Sequence, residues 1–227
     1  MSLAVVTGAG RGIGHAVALE LARRGYDLAL LGRTVDDLSR TAFEVTALGR
    51  RALALSCDVS RSDQVSAAAA TILAELGAPH VVVNNAGIAR RGRVATLSEE
   101  DWDAVIDVNL KGTFLVTRAF LPSMLENGTG RFVALASISA TLGTPELSAY
   151  CAAKWGVVGF TKALAEELRG TGVQALCVLP GSVDTEMLKE STFPAQMTPE
   201  HVAGVVAYAA LDAPSAMNGS AIEMFGP

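Results

Sequence analysis

Short apolar runs alternate with longer stretches of helical periodicity from one end of this chain to the other. Leu3–Thr7, Asp27–Leu31, Ala52–Ser56, His80–Asn84, Phe132–Ala136, Gln174–Leu179 and Ser220–Met224 read as seven strands. Segments 12–24, 36–48, 61–76, 101–126, 148–169 and 199–211 between them read as helices. Runs such as Ala4-Val5-Val6 and Val81-Val82-Val83 lack the alternation of a half-exposed sheet, so they predict parallel strands covered on both faces. Strand–helix alternation closes into right-handed βαβ units. It predicts an α/β fold in which one doubly wound, seven-stranded parallel sheet is flanked by helices on both faces, as a single domain over 1–227. In such a sheet ligands bind beyond the carboxyl ends of the strands, so the loops after the strands are where chemistry is expected.

Composition narrows the classes of function. Half of the 227 residues are hydrophobic and 18% are charged, which excludes a disordered chain. The net charge of −5 argues against a general nucleic-acid binder, which needs a basic face for phosphates. Cys57, Cys151 and Cys177 form neither a CxxC pair nor a metal-ligand spacing, so no metal site and a reduced, cytoplasmic setting are expected. The first strand begins at Leu3, so no leader is expected ahead of it, and no apolar run reaches the roughly 20 residues of a membrane helix.

Thr7-Gly8-Ala9-Gly10-Arg11-Gly12-Ile13-Gly14 joins the first strand to the first helix. Glycines at such a junction let the backbone approach a pyrophosphate, and the helix N-terminus offers it free N–H groups. The strand–loop–helix context raises this above an ordinary glycine-rich turn. An acidic residue ending the second strand would favour NAD by bonding the ribose hydroxyls. This strand ends instead in Leu31-Gly32-Arg33-Thr34, and Arg11 adds a second cation from the first loop. Two arginines and no carboxylate suit a 2′-phosphate, hence NADP(H) over NAD(H); the alternative is that Arg33 is a solvated loop residue.

Tyr150 and Lys154 stand four residues apart in a helical segment and so share a face. A free tyrosine titrates near ~10, too high for proton transfer at neutral pH unless a nearby cation favours the phenolate. Ser137 ends the fifth strand, where its hydroxyl reaches the same edge of the sheet. A Tyr and a Lys at this spacing occur on many helices; the strand-end serine and the nucleotide loop give the pair its meaning.

With these motifs in order, the chain resembles the short-chain dehydrogenase/reductase family over nearly its whole length, and within it carbonyl reductases and 3-oxoacyl-acyl-carrier-protein reductases. The resemblance rests on Thr7 to Gly14, Asp58-Val59, Asn84-Asn85-Ala86-Gly87, Asn109 in Asp107-Val108-Asn109-Leu110, Ser137, Tyr150-Cys151-Ala152-Ala153-Lys154, and Pro180-Gly181-Ser182-Val183-Asp184-Thr185. It implies a Rossmann domain and hydride transfer between a nicotinamide and a carbonyl or alcohol. Tyr150 would then exchange the proton of the substrate oxygen, Lys154 would hold the nicotinamide ribose and depress the tyrosine pKa, and Ser137 would orient the substrate. Asn109 would support a water linking Lys154 to solvent. The cofactor would lie on Gly8, Gly10, Arg11, Gly12, Ile13 and Gly14, with Arg33 and Thr34 at its phosphate. Asp58 and Val59 would meet the adenine, Asn85 to Gly87 the adenosine ribose, and Pro180, Gly181, Val183 and Thr185 the carboxamide end. Homodimers or homotetramers built on helices 101–126 and 148–169 are implied as well, with Trp155 facing a partner subunit.

The rival readings are an NAD-linked secondary alcohol or polyol dehydrogenase and a non-catalytic NADP(H)-binding regulator. A regulator of that kind usually loses one of the four residues present here as Asn109, Ser137, Tyr150 and Lys154. His15, His80 and His201 are scattered, without metal spacing, and are expected to be structural. Arg90-Arg91-Gly92-Arg93 borders the expected cleft, either as a solvated loop or as a steering patch for an anionic substrate or acidic carrier protein. The segment from Thr185 to the helix near Pro199 is short for the family's substrate lid, which predicts an open cleft suited to bulky or tethered substrates.

Overall fold

A computed structural model describes residues 2–189 and 193–227. Seven strands, β1 (Leu3–Thr7), β2 (Asp27–Gly32), β3 (Ala52–Ser56), β4 (Val81–Asn84), β5 (Gly130–Leu135), β6 (Val173–Pro180) and β7 (Ala221–Met224), form one parallel sheet in the order β3-β2-β1-β4-β5-β6-β7. The helices are α1 (Gly12–Arg23), α2 (Val35–Ala47), α3 (Ser62–Glu75), α4 (Glu99–Ile106), α5 (Gly112–Asn127), α6 (Ser148–Glu167), α7 (Glu186–Lys189) and α8 (Pro199–Ala207).

The unbroken apolar runs are explained by two cores. In β1, Ala4 and Val6 join a cluster with Leu21 of α1, Leu38 of α2 and Val206 of α8. Leu3 and Val5 point the other way, toward Ile72 of α3, Phe120 of α5 and Leu164 of α6. Each residue of a central strand therefore has an apolar destination, whichever face its pleat selects.

Segment 101–126 departs from its expected single helix. It begins at Glu99, where the Ser98 hydroxyl accepts from the Asp101 N–H at 3.1 Å, and it is interrupted by a π-helical turn at Asp107–Lys111 before α5. One extra residue per turn leaves no mark on apolar periodicity, and such turns gather at functional sites. The short helix α7 was not foreseen, and a second π-helical turn, Tyr208–Asp212, continues α8.

The crossovers run in opposite directions from β1 and β4, which opens a crevice between their carboxyl ends. Gly14 sets how closely α1 approaches it. A Cβ there would lie 2.1 Å from the Gly8 carbonyl oxygen and 2.5 Å from Asn85 Nδ2. We expect Gly14→Ala to push α1 off the loop, cost about 1–3 kcal/mol and lower the thermal midpoint by roughly 2–4 °C per kcal/mol, as read by calorimetry.

Candidate active site

A cleft of about 530 Å³ opens at this crevice, within the range of small-molecule sites. Its floor is the glycine loop. Gly8 and Gly12 hold positive φ of 63° and 54°, which side chains with a Cβ disfavour. The loop is tied to the segment after β4: Asn85 Nδ2 donates to the Thr7 and Gly8 carbonyls at 2.9 and 3.2 Å, and the Thr7 hydroxyl accepts from the Asn85 and Ala86 N–H groups at 3.0 Å each. From the far side Thr185 packs in, its methyl 3.3 Å from where a Gly12 Cβ would stand.

At one end of the cleft stand Gly32, Arg33, Thr34, Asp58 and Val59, with Arg11 across from them. Among the described residues no carboxylate lies within ion-pair distance of Arg11 or Arg33. Both are solvent-exposed cations free to meet an anion. Asp37 also reaches this wall, but Arg40 holds it at 3.0 Å. Asp58 is partly engaged as a turn former, with Oδ1 accepting from the Ser60 N–H and hydroxyl at 3.0 and 2.7 Å.

The opposite end is lined by Tyr150 and Lys154, with Ser137 and Asn109 packed behind that wall. Lys154 is only 4% exposed, and its ammonium donates to the Leu135 carbonyl at 2.7 Å. It sits 5.5 Å from the centroid of the Tyr150 ring. Ser137 is buried between the two walls. Its hydroxyl accepts from the Ser139 N–H at 3.1 Å and reaches the Pro180 carbonyl at 3.4 Å. The π-helical turn places Asn109 beneath this corner with no exposure. Its Nδ2 donates to the Ile88 and Val105 carbonyls at 2.8 Å each, while Oδ1 is buried with no hydrogen-bond partner among the described residues. That oxygen and Lys154 Nζ front the same space, lying 2.7 and 3.6 Å from where a Gly87 Cβ would be. A buried acceptor with no protein donor beside a buried ammonium is a site for a bridging water.

The electrostatics differ from the expectation that Lys154 depresses the tyrosine. Burial pushes the Tyr150 phenol up to about 12, and a hydrogen bond with Ser137 offsets only part of that rise. The same burial lowers Lys154 to about 8. Desolvation penalises whichever form is charged, so it drives the two groups apart, the phenol upward and the ammonium downward. Without a further positive charge nearby, the phenol stays neutral.

Most residues expected at the site line the cleft: Gly8, Gly10, Arg11, Gly12 and Ile13 on its floor, Asn85, Ala86 and Gly87 beside them, and Pro180 and Thr185 opposite. Gly14, Gly181 and Val183 stand behind the wall. Gly14 packs on Gly8, the Gly181 N–H donates to the Met224 carbonyl at 2.9 Å, and Val183 is buried in a bridge to Met197. Asp37, Leu38, Cys57 and Ile88 line the cleft without having been foreseen; of these, Cys57 immediately precedes Asp58-Val59 and Ile88 immediately follows Asn84-Asn85-Ala86-Gly87. Within the expected lid, residues 190–192 lie outside the described residues.

The short chain dehydrogenase family model matches residues 2–195. The chain belongs to that family. It is 37% identical over 220 residues to a 3-oxoacyl-[acyl-carrier-protein] reductase from Synechocystis sp., an alignment that covers 92% of this chain and 89% of the relative. It is 40% identical over 189 residues to the short-chain reductase protein NovJ of Streptomyces niveus, covering 83% and 72%. Among solved structures, a short-chain type dehydrogenase/reductase from Mycobacterium marinum superposes with a TM-score of 0.93 at 32% identity, covering 99% of this chain and 94% of that one. The chain is thus an oxidoreductase of the short-chain dehydrogenase type, acting between carbonyl and alcohol.

Lys154 supplies a test of the burial argument. Its proton leaves the folded protein at about 8 but the unfolded chain only near ~10.4, so between these values the unfolded state binds more protons. Stability then rises with pH across that window as the charged-lysine penalty disappears. We expect urea unfolding of wild type and Lys154→Met to show the difference moving in favour of wild type by about 3 kcal/mol from neutral pH to about pH 10.

Proposed function

We propose that this protein is an NADPH-dependent reductase of ketones, aldehydes or 3-oxoacyl groups, in which Ser137, Tyr150, Lys154 and Asn109 handle the proton. The observation that carries the reading is the continuity of one cleft from an anion-ready glycine loop to the half-buried Tyr150 beside the buried Lys154. The residues fit the cofactor. Arg33 stands where an acidic residue would favour NAD and Arg11 adds a second cation from the glycine loop, neither ion-paired among the described residues, and the Asn109 amide oxygen, unpartnered among them, lies beside Lys154. Gly8, Gly10, Gly12, Ile13 and Gly14 would hold the pyrophosphate, Arg11, Arg33 and Thr34 the 2′-phosphate, and Asp58 and Val59 the adenine. Asn85, Ala86 and Gly87 would flank the adenosine ribose, with Pro180, Gly181, Val183 and Thr185 toward the nicotinamide. When bound, NADP(H) supplies or accepts the hydride.

The residues of the chain do the rest. Ser137 donates to the substrate oxygen and fixes it beside the phenol. Tyr150 gives its proton to that oxygen in reduction and takes it back in oxidation. The phenol is pushed up to about 12 by burial, so it is a reluctant acid until Lys154 and the positive charge of an oxidised nicotinamide stabilise its phenolate. Lys154 steadies that phenolate and passes a proton inward through a water held by Asn109 Oδ1. The catalytic and cofactor-binding groups thus belong to one domain.

The curated relatives named as 3-oxoacyl-[acyl-carrier-protein] reductases support a thioester substrate on a carrier, as does the short segment from Thr185 to Pro199. The lack, among the described residues, of a helix long and apolar enough to cross a membrane accords with a cytoplasmic enzyme. Helices α5 and α6 carry the self-association surface of a homodimer or homotetramer: Trp155 is 55% exposed, and Phe114 stands edge-on to Phe160 at 6.3 Å with Arg118 over its ring.

The test of activity is oxidation of NADPH and NADH with a carbonyl panel that includes a 3-oxoacyl thioester. Turnover with NADPH that falls about 10²–10⁴-fold in Tyr150→Phe supports the acid–base role. Arg33→Ala is expected to weaken NADPH binding by about 10–100-fold, the scale of a lost charged hydrogen bond, and to leave NADH nearly unchanged. Equal use of both nucleotides by wild type would favour the NAD-linked reading. By sedimentation velocity the wild type is expected as a dimer or tetramer and Trp155→Glu as a smaller species; a monomeric wild type would remove the assembly from the account.

A further inference from the structure

His15 follows the last glycine of the phosphate loop, and its ring touches two residues of α2. Nδ1 lies 3.0 Å from Thr41 Oγ1, and Nε2 lies 3.4 Å from Glu44 Oε2. Thr41 is fully buried. Its hydroxyl sits 3.0 Å from the Ala9 carbonyl oxygen in the glycine loop and 3.1 Å from the Asp37 carbonyl of its own helix. The next carbonyl of the loop, Gly10, accepts from Arg40 at 3.2 Å. In a trans peptide the C=O and the following N–H point in opposite directions. Holding the Ala9 and Gly10 carbonyls against α2 therefore turns the N–H groups of Gly10 and Arg11 away from those α2 partners.

The hydroxyl of Thr41 has one proton to give. A protonated imidazole has two donors: one serves Thr41, the other Glu44, and the Thr41 proton is left for the Ala9 carbonyl, shared with that of Asp37. A neutral imidazole has one donor. With that proton on Nε2, facing the carboxylate, Nδ1 becomes an acceptor that competes with Ala9 for the Thr41 proton. With the proton on Nδ1, a ring lone pair faces Glu44 instead. In either tautomer one link of the chain from Glu44 to the glycine loop is lost.

We propose that His15 is a positioning residue for the phosphate loop, acting through Thr41, and that its deprotonation weakens dinucleotide binding. The proposal rests on reading the cleft as a dinucleotide site. The charged groups that face the ring are Glu44 on α2 and Glu200 on α8. Glu200 is held low chiefly by a hydrogen bond with Thr198, with His201 and His15 contributing at longer range.

The experiment measures NADPH and NADH affinity by fluorescence from about pH 5.5 to about pH 8.5 for wild type, His15→Gln and Thr41→Val. The 2′-phosphate of NADPH itself titrates near ~6, so the quantity read is the ratio of wild type to variant at each pH, and NADH provides an arm without that phosphate. The Gln amide can donate to Thr41 at every pH. Relative to it, wild type is expected to lose about 3–10-fold in affinity for both nucleotides between the acid and alkaline ends, the scale of one neutral hydrogen bond. The pH profile of Thr41→Val is expected to match that of His15→Gln. A second readout needs no nucleotide: the Ala9 carbonyl ¹³C shift is expected to titrate with the His15 ring in wild type and stay flat in His15→Gln. A ratio constant across pH, or an Ala9 shift that ignores His15, overturns the proposal. If wild type binds neither nucleotide at any pH, the cofactor reading falls, and the carbonyl titration still decides whether the His15–Thr41–Ala9 chain exists.

Discussion

The site depends on how β1 is joined to β4. At this pair the crossovers part in opposite directions, and the loops that leave the two strands would separate if nothing held them. Thr7 and Asn85 hold them. The hydroxyl of one takes two backbone N–H groups from the β4 loop, and the amide of the other satisfies two carbonyls of the β1 loop. Polar groups that burial would otherwise leave unpaired are thereby satisfied, and the glycine loop is fixed against the wall that carries Ala86 and Gly87. Gly14 lets α1 settle onto that loop, because any side chain there meets the Gly8 carbonyl.

The corner that holds Tyr150 and Lys154 is built differently. Lys154 is an ammonium almost wholly removed from water, with one carbonyl as its protein partner. Such a group costs stability and is retained where its charge has a task. Its neighbour Tyr150 is driven by the same burial toward the neutral form. The pair is therefore poised rather than active: the lysine holds its proton loosely, the tyrosine tightly, and an added positive charge in the cleft would shift the balance toward phenolate. Asn109 belongs to this corner because a π-helical turn, with its extra residue, carries the side chain inward beneath Gly87.

Much of this was legible in the sequence, and the reasons are local. Central strands with two covered faces must be apolar throughout, so Ala4-Val5-Val6 and Val81-Val82-Val83 announced a parallel sheet. Thr7 to Gly14 and the Tyr150–Lys154 spacing are short-range patterns visible in the chain, and the fold brings both to one cleft. The π-helical turn at Asp107–Lys111 was not legible, since one added residue barely disturbs a helical period. Asp37 and Leu38 reach the cleft only because α2 packs against Gly10, a contact between elements with no signature in either. The elevated phenol was also hidden, because motif spacing shows which charges are near and does not show how much water has been excluded.

The phenol of Tyr150, half-buried and desolvated, is expected to be switched by charge placed beside it. The most direct measurement is its ionisation, followed by ultraviolet difference absorbance of wild type against Tyr150→Phe, which cancels Tyr26 and Tyr208. Without nucleotide, phenolate is expected only toward about pH 12. With NADP⁺ bound, the same transition is expected at least about 1–3 pH units lower, as an added cation favours the anion. A transition that stays in place when NADP⁺ is bound would contradict the account.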